Sequence, residues 1–169
     1  MATETSRRYA RRILCVALVA LGATAQPVMA TSYSTIDVTV ILTAEPCKVN
    51  NNNIIEVNFG NDVQTTLVDG NYKKMQVPYT VQCPAGAPSA MNIRIDGKAA
   101  AFNRDVLMTN ISNFGIAILN DGNLLPINSP KDFTYPNLPR LYAVPVKRTG
   151  ATLRGGVFSA GAVMRVEYR

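Results

Sequence analysis

The hydrophobic positions of this chain recur at every second residue, in short runs separated by turn-forming residues. In the last run, residues 156–169, every even position from Phe158 to Tyr168 is apolar or aromatic, while the odd positions include Ser159, Gly161, Arg165, Glu167 and Arg169. Successive side chains of a strand point to opposite faces, so this run has one continuous apolar face and one mixed face; a helix would scatter the same residues around its axis. Residues 34–43 repeat the pattern: Ile36, Val38, Val40 and Leu42 share a face, Asp37, Thr39 and Thr43 lie opposite, and Ile41 is the exception. This run is predicted to be a strand with one strongly apolar side.

Between these runs the alternation continues. After the polar tract Asn50, Asn51, Asn52 and Asn53, read as a turn, residues 54–60 alternate again. Residues 77–83 read as a strand with Pro78 near its start, where proline is tolerated. Met91, Ile93 and Ile95 share a face, and residues 106–111 form a weaker strand candidate. The best hairpin signal is residues 114–127, where Asp121-Gly122 separates two apolar runs and supports the positive φ angles of a tight turn. Residues 129–137 read as a proline-containing loop and residues 141–146 as a strand. About seven short strands without useful helical periodicity predict an all-β sandwich.

The first thirty residues stand apart from this pattern. Arg7, Arg8, Arg11 and Arg12 precede an apolar stretch, residues 13–25, and Val28-Met29-Ala30 supplies small residues where a signal peptidase would cut. We expect residues 1–30 to be a signal peptide, 31–43 an N-terminal extension and 44–169 one domain. The apolar stretch is too short to span a bilayer, and no later stretch is longer. Four basic residues and one acidic residue leave with the signal, so the formal charge falls from +6 to +3. That small charge, without a basic run, gives no footing for nucleic-acid binding or direct membrane insertion. Of the three cysteines, Cys15 lies in the signal, leaving Cys47 and Cys83 in an oxidising compartment, where an even count reads as one disulfide.

The chemistry of catalysis is thin. The chain has no histidine, which excludes a histidine base and leaves two distant cysteines as a poor zinc site, so no metal or cofactor is expected. The carboxylates are scattered, and the glycine pairs lack a phosphate-loop frame. Asn110-Ile111-Ser112 has the form of a glycosylation acceptor, a signature with a high chance rate. An enzyme is therefore not expected.

The C-terminal run resembles the motif of chaperone–usher fimbrial subunits, the type 1 and P pilin-like family with its minor and adaptor pilins. A glycine fourteenth from the end (Gly156), alternating apolar positions and a penultimate tyrosine (Tyr168) carry the likeness. The Val57-Asn58-Phe59-Gly60 segment and the Gly115-Ile116-Ala117-Ile118 run add to it. The resemblance implies an incomplete immunoglobulin-like β-sandwich lacking its last strand, completed in trans by donor-strand complementation. It implies that Ile36, Val38, Val40 and Leu42 are inserted into a neighbouring subunit. It further implies that Gly156, Phe158, Ala160, Ala162, Met164, Val166, Tyr168 and Arg169 border the acceptor groove and bind the chaperone, with the Arg169 carboxylate gripped by it. Cys47 and Cys83 sit where pilins bridge their first two core strands. The implied partners are neighbouring pilin subunits, a periplasmic chaperone and an outer-membrane usher, and the implied place is a surface fimbria supporting adhesion. One departure is the absence of glycine from residues 31–42, which leaves the register of insertion open. Two other readings stay open here: a secreted monomeric, adhesin-like sandwich that binds a ligand, and a self-assembling coat protein outside the fimbrial system.

Overall fold

The hairpin over Asp121-Gly122 anchors the fold. Strands β7 (Phe114–Asn120) and β8 (Asn123–Leu125) pair antiparallel, with Asn120 opposite Asn123, and Asp121 and Gly122 adopt φ of 47° and 90°. Both central residues thus take the left-handed conformation that matches strand twist in a two-residue turn. The structure is a computed structural model and describes Val40 and residues 45–169. Everything below concerns the unit running from Leu42 to Arg169.

Eleven short strands are present among the described residues: β1 (Lys48–Val49), β2 (Met75–Gln76), β3 (Val81–Gln82), β4 (Ala90–Gly97), β5 (Ala99–Ala100), β6 (Asn103–Met108), β7, β8, β9 (Lys131–Thr134), β10 (Leu141–Lys147) and β11 (Ala162–Tyr168). They form a larger sheet in the order β2-β10-β7-β6-β5, with β8 also on β7, a sheet β11-β4-β9, and the pair β1-β3. The pairings are antiparallel. The two larger sheets pack as a sandwich whose interior holds Ile93 and Ile95 of β4 and Phe114, Ile116, Ile118, Leu141 and Ala143 of β7 and β10. The all-β sandwich expected from periodicity is therefore the observed fold.

β7 is buried along both faces. Phe114, Ile116 and Ile118 point into the sandwich, while Ala117 packs outward with Val106 and Val144 in a second, smaller cluster. Gly115 is required by close approach: a Cβ there would lie 2.8 Å from the Leu107 carbonyl oxygen and 3.1 Å from Val106 Cγ2. Pro145 pairs with Ile116 in the middle of β10, while the opposite edge of β10 meets β2 at Tyr142 and Ala143. The missing proline N–H thus falls beyond the end of β2 and removes no ladder bond there.

The structure differs from the expected strands in several places, including the short strands β1, β2 and β5, which the alternation did not predict. The C-terminal strand begins at Ala162, not at residue 156. The run 77–83 is a strand over Val81–Gln82 alone. The weak candidate at 106–111 is shifted to Asn103–Met108. Lys131–Thr134, read as loop, is β9, which pairs with β4 from Ala90↔Thr134 to Ile93↔Lys131. Its four residues are mostly exposed, so a sheet-edge position demanded no apolar alternation that a sequence pattern would reveal.

Candidate functional site

A groove of about 1550 Å³ runs along the sandwich. One bank is formed by residues 53–61, the other by residues 155–167, and Ile95, Leu107, Phe114, Ile116 and Leu141 contribute to its floor. The floor belongs to the hydrophobic core, so the groove is an opening into the interior. Contiguous apolar surface of this kind marks an interaction site.

The first bank is an extended segment without a ladder. Ile55, Val57 and Phe59 are half-buried towards the core, while Ile54, Glu56 and Asn58 are exposed, so the alternation read from sequence is present. Yet the backbone groups of residues 55–59 make no backbone hydrogen bond among the described residues. The segment is held at its ends instead. Asn50, Asn51 and Asn52 take φ of 46°, 52° and 62°, a conformation asparagine tolerates better than most residues, and Asn50 Nδ2 donates to the carbonyls of Asn53 and Ile54 at 3.2 Å each. At the far end the Gly60 N–H donates to Asn58 Oδ1 at 2.8 Å.

The second bank is β11 with the stretch before it. β11 pairs with β4 from Ala162↔Gly97 to Tyr168↔Met91, and its other edge has no strand partner among the described residues. Phe158, Met164, Val166 and Tyr168 are half-buried, Ala160 and Ala162 are exposed, and the odd residues are exposed throughout. Gly156 has φ 147° with open space where a Cβ would stand, so its requirement is conformational. Arg169 donates its N–H to the Ala90 carbonyl and its side chain pairs with Asp132 of β9.

Each end of the groove is defined. At one end Phe158 bridges the banks, with ring centroids 5.8 Å from Phe59 and 4.8 Å, edge-on, from Phe114. At the other, the Tyr168 hydroxyl donates to the Glu45 carbonyl at 2.7 Å and lies 3.4 Å from Cys47 Sγ. Cys47 and Cys83 form a disulfide that extends the β1–β3 register by one step, fixing the base of the first bank. Of the residues that the resemblance implies are inserted into a neighbour, Ile36, Val38 and Leu42 lie outside the described residues, and Val40 is exposed.

The ionisable groups with shifted pKa values are structural. Lys73 hydrogen-bonds Asp62 and holds its carboxyl below the usual range, and the N–H groups of Tyr72 and Asn71 do the same for Asp69. The Asp62 carboxylate raises Lys73 in turn. Burial pushes Tyr79 up to about 12, and its hydroxyl donates to the Pro139 carbonyl. None of these four lines the groove.

An extended segment without a ladder and the free edge of β11 thus flank an apolar floor. Comparison with known proteins places this geometry in a family. The fimbrial protein family profile matches residues 34–169. The fimbrial-like protein YfcQ of Escherichia coli K12 is 33% identical over 137 residues, covering 76% of this chain and 83% of that protein. YfcR of the same strain is 35% identical over 129 residues, covering 73% and 74%. Among solved structures, the P pilus adaptor subunit PapF aligns with a TM-score of 0.56 at 27% identity, covering 75% of this chain and 98% of that one. The rod subunit PapA aligns at 0.57 and 18% identity, covering 80% and 100%, a likeness of fold. The chain belongs to the fimbrial protein family: it is a chaperone–usher pilin, an immunoglobulin-like sandwich lacking a final strand. It is a subunit of a surface fimbria.

Several groups of the site carry no signal in the sequence. Phe114 lay inside a hairpin whose role was structural, and the Tyr168–Glu45 bond joins residues 123 positions apart. Asn110 was visible only as part of a common tripeptide.

Proposed function

We propose that this pilin polymerises by donor-strand exchange. Residues 31–43, freed by removal of residues 1–30, form the donor extension, and Ile36, Val38, Val40 and Leu42 of one subunit fill the groove of its neighbour. A periplasmic chaperone strand occupies the groove first, and an outer-membrane usher passes subunits to the growing fimbria, which supports adhesion. Adding a strand to an open sheet edge is a known recognition mode, with pilin complementation among its known instances. The observation that carries the reading is an extended segment and the β11 edge, both without a ladder partner on the groove side among the described residues, beside a floor of core side chains.

The energetics agree with the chemistry. An inserted strand supplies main-chain hydrogen bonds to both banks, and its alternate side chains cover the floor. Four such side chains at ~1.5–3 kcal/mol each contribute ~6–12 kcal/mol before the cost of ordering the strand. The test is thermal melting of the exported, purified protein with and without a peptide copying residues 34–43. A melting temperature raised by several degrees, and not raised by the same peptide carrying Val38→Asp, is the expected result, since a carboxylate at an apolar floor is strongly disfavoured. A cooperative melt indifferent to both peptides would overturn the reading and favour a sandwich that is already complete.

A further inference from the structure

Strand β4 leaves its sheet before the groove ends. Its last rung pairs Gly97 with Ala162; from Ala99 the chain pairs instead with β6 in the larger sheet. The stretch before Ala162 therefore loses its β4 partner, and residues 155–161 belong to no strand. Three glycines, Gly155, Gly156 and Gly161, flank or end that stretch, so its own backbone gives it little stiffness.

One side chain replaces the lost partner. Asn110 Nδ2 donates to the Val157 carbonyl at 3.0 Å, and the Ser159 N–H donates to Asn110 Oδ1 at 2.8 Å. A carbonyl at one residue and an N–H two residues on, both bound by one planar amide, is the pattern one residue of a parallel strand would make. It turns the Val157 carbonyl and Ser159 N–H to one side. In extended backbone the peptide groups of the intervening residue face the other side, so those of Phe158 point away from Asn110 and have no hydrogen-bond partner among the described residues. Asn110 is itself rigidly presented. The hydroxyl of the adjacent, buried Thr109 donates to the Phe114 carbonyl at 2.9 Å and accepts the Ile111 N–H at 3.1 Å, fixing the turn that follows β6.

We infer that Asn110 is a positioning residue that extends the acceptor edge past the end of β4, so that the groove accepts an inserted strand as far as Phe158 and selects for strands long enough to reach it. The inference rests on the strand-insertion reading above. It assigns Asn110 a main-chain-like role, with its Nδ2 and Oδ1 bound to Val157 and Ser159.

The test compares the wild-type protein, purified after export, with Asn110→Ala and with Asn110→Asp, which keeps the shape but opposes an oxygen to the Val157 carbonyl. Three peptides are titrated: a copy of residues 34–43 and two versions shortened by two residues, one at each end. Loss of one or two hydrogen bonds corresponds to an affinity change of about tenfold. Both variants are expected to weaken the full-length peptide by about that factor. They should also weaken the one shortened peptide that still reaches Phe158, and leave the other as in wild type. Amide exchange at Ser159 should quicken in the same variants. Equal losses for both shortened peptides would mark Asn110 as a general stability residue and overturn the inference, as would no loss for any peptide. Wild-type protein that binds none of the three overturns the insertion reading and the inference with it; binding by wild type with unchanged variants overturns the inference alone. Should Asn110→Ala fail to fold, Asn110→Asp decides.

Discussion

At the scale of single residues, this pilin is organised by side chains that stand in for backbone. Thr109 is the buried polar residue of the core among the described residues, and one hydroxyl satisfies two main-chain groups of the turn from β6 to β7. Replacing it with the nearly isosteric valine leaves the Ile111 N–H and the Phe114 carbonyl without that partner. Thr109→Val is expected to cost about 1–3 kcal/mol, read as a lower denaturant midpoint with unchanged slope. Because the same turn presents Asn110, the variant should also loosen Ser159 in hydrogen exchange; an unchanged midpoint would show that water replaces the hydroxyl without loss. Phe158 works differently. Its ring touches Phe59 and Phe114, so it ties both banks to the floor through apolar contact alone. Its inward orientation was legible from alternation, but its two aromatic partners were not, because nothing in a period of two says which distant ring it meets.

At the scale of elements, the contrast is between strands that found partners and one segment that did not. Residues 54–59 alternate in burial as β4 does, yet their backbone has no ladder among the described residues. Periodicity reports which face is buried and is silent about whether the edge is paired. Behind this bank, the loop over residues 62–73 is closed by the Lys73–Asp62 ion pair at 2.6 Å and by Asp69 accepting the N–H groups of Asn71 and Tyr72 at 2.8 Å each. Both carboxyls have pKa values lowered in the folded state. Their contribution is thus fully present above the unfolded carboxylate pKa, about 4, and is lost as pH falls through the lower folded values. Amide protection at Asn71 and Tyr72 should be constant from neutrality down to about pH 4 and fall below it. Loss of protection between pH 5 and 7 would mean that another group closes the loop.

At the scale of the whole molecule, a sandwich open along one side needs other restraints. The Cys47–Cys83 bridge closes a loop with a sequence separation of 36, for which loop entropy gives about 4 kcal/mol. Replacing both cysteines with alanine is expected to lower stability by about 2–5 kcal/mol in the absence of a donor peptide. If the strand-insertion reading holds, the peptide should recover part of that loss, because a ligand of the folded form alone stabilises it. A double variant as stable as wild type would show that β1 and β3 hold the first bank without the bridge.

The chain's local chemistry determined much of this protein by itself. Strand faces, the Asp121-Gly122 hairpin, the disulfide and the C-terminal alternation follow from side-chain period, turn stereochemistry and cysteine count, all of which act over a few residues or by simple counting. The tertiary structure alone decided the rest. It set the switch of the chain between sheets at Gly97–Ala99, the unforeseen pairing of β9, and the meeting of Phe59 with Phe158 nearly a hundred residues on. It also seated Asn110 beside Val157 and Ser159. The physical reason is common to these features: each depends on which strand edges come to face one another. A hydrogen-bonding edge carries the same N–H and C=O groups whatever the residue, so the side-chain sequence does not record its partner.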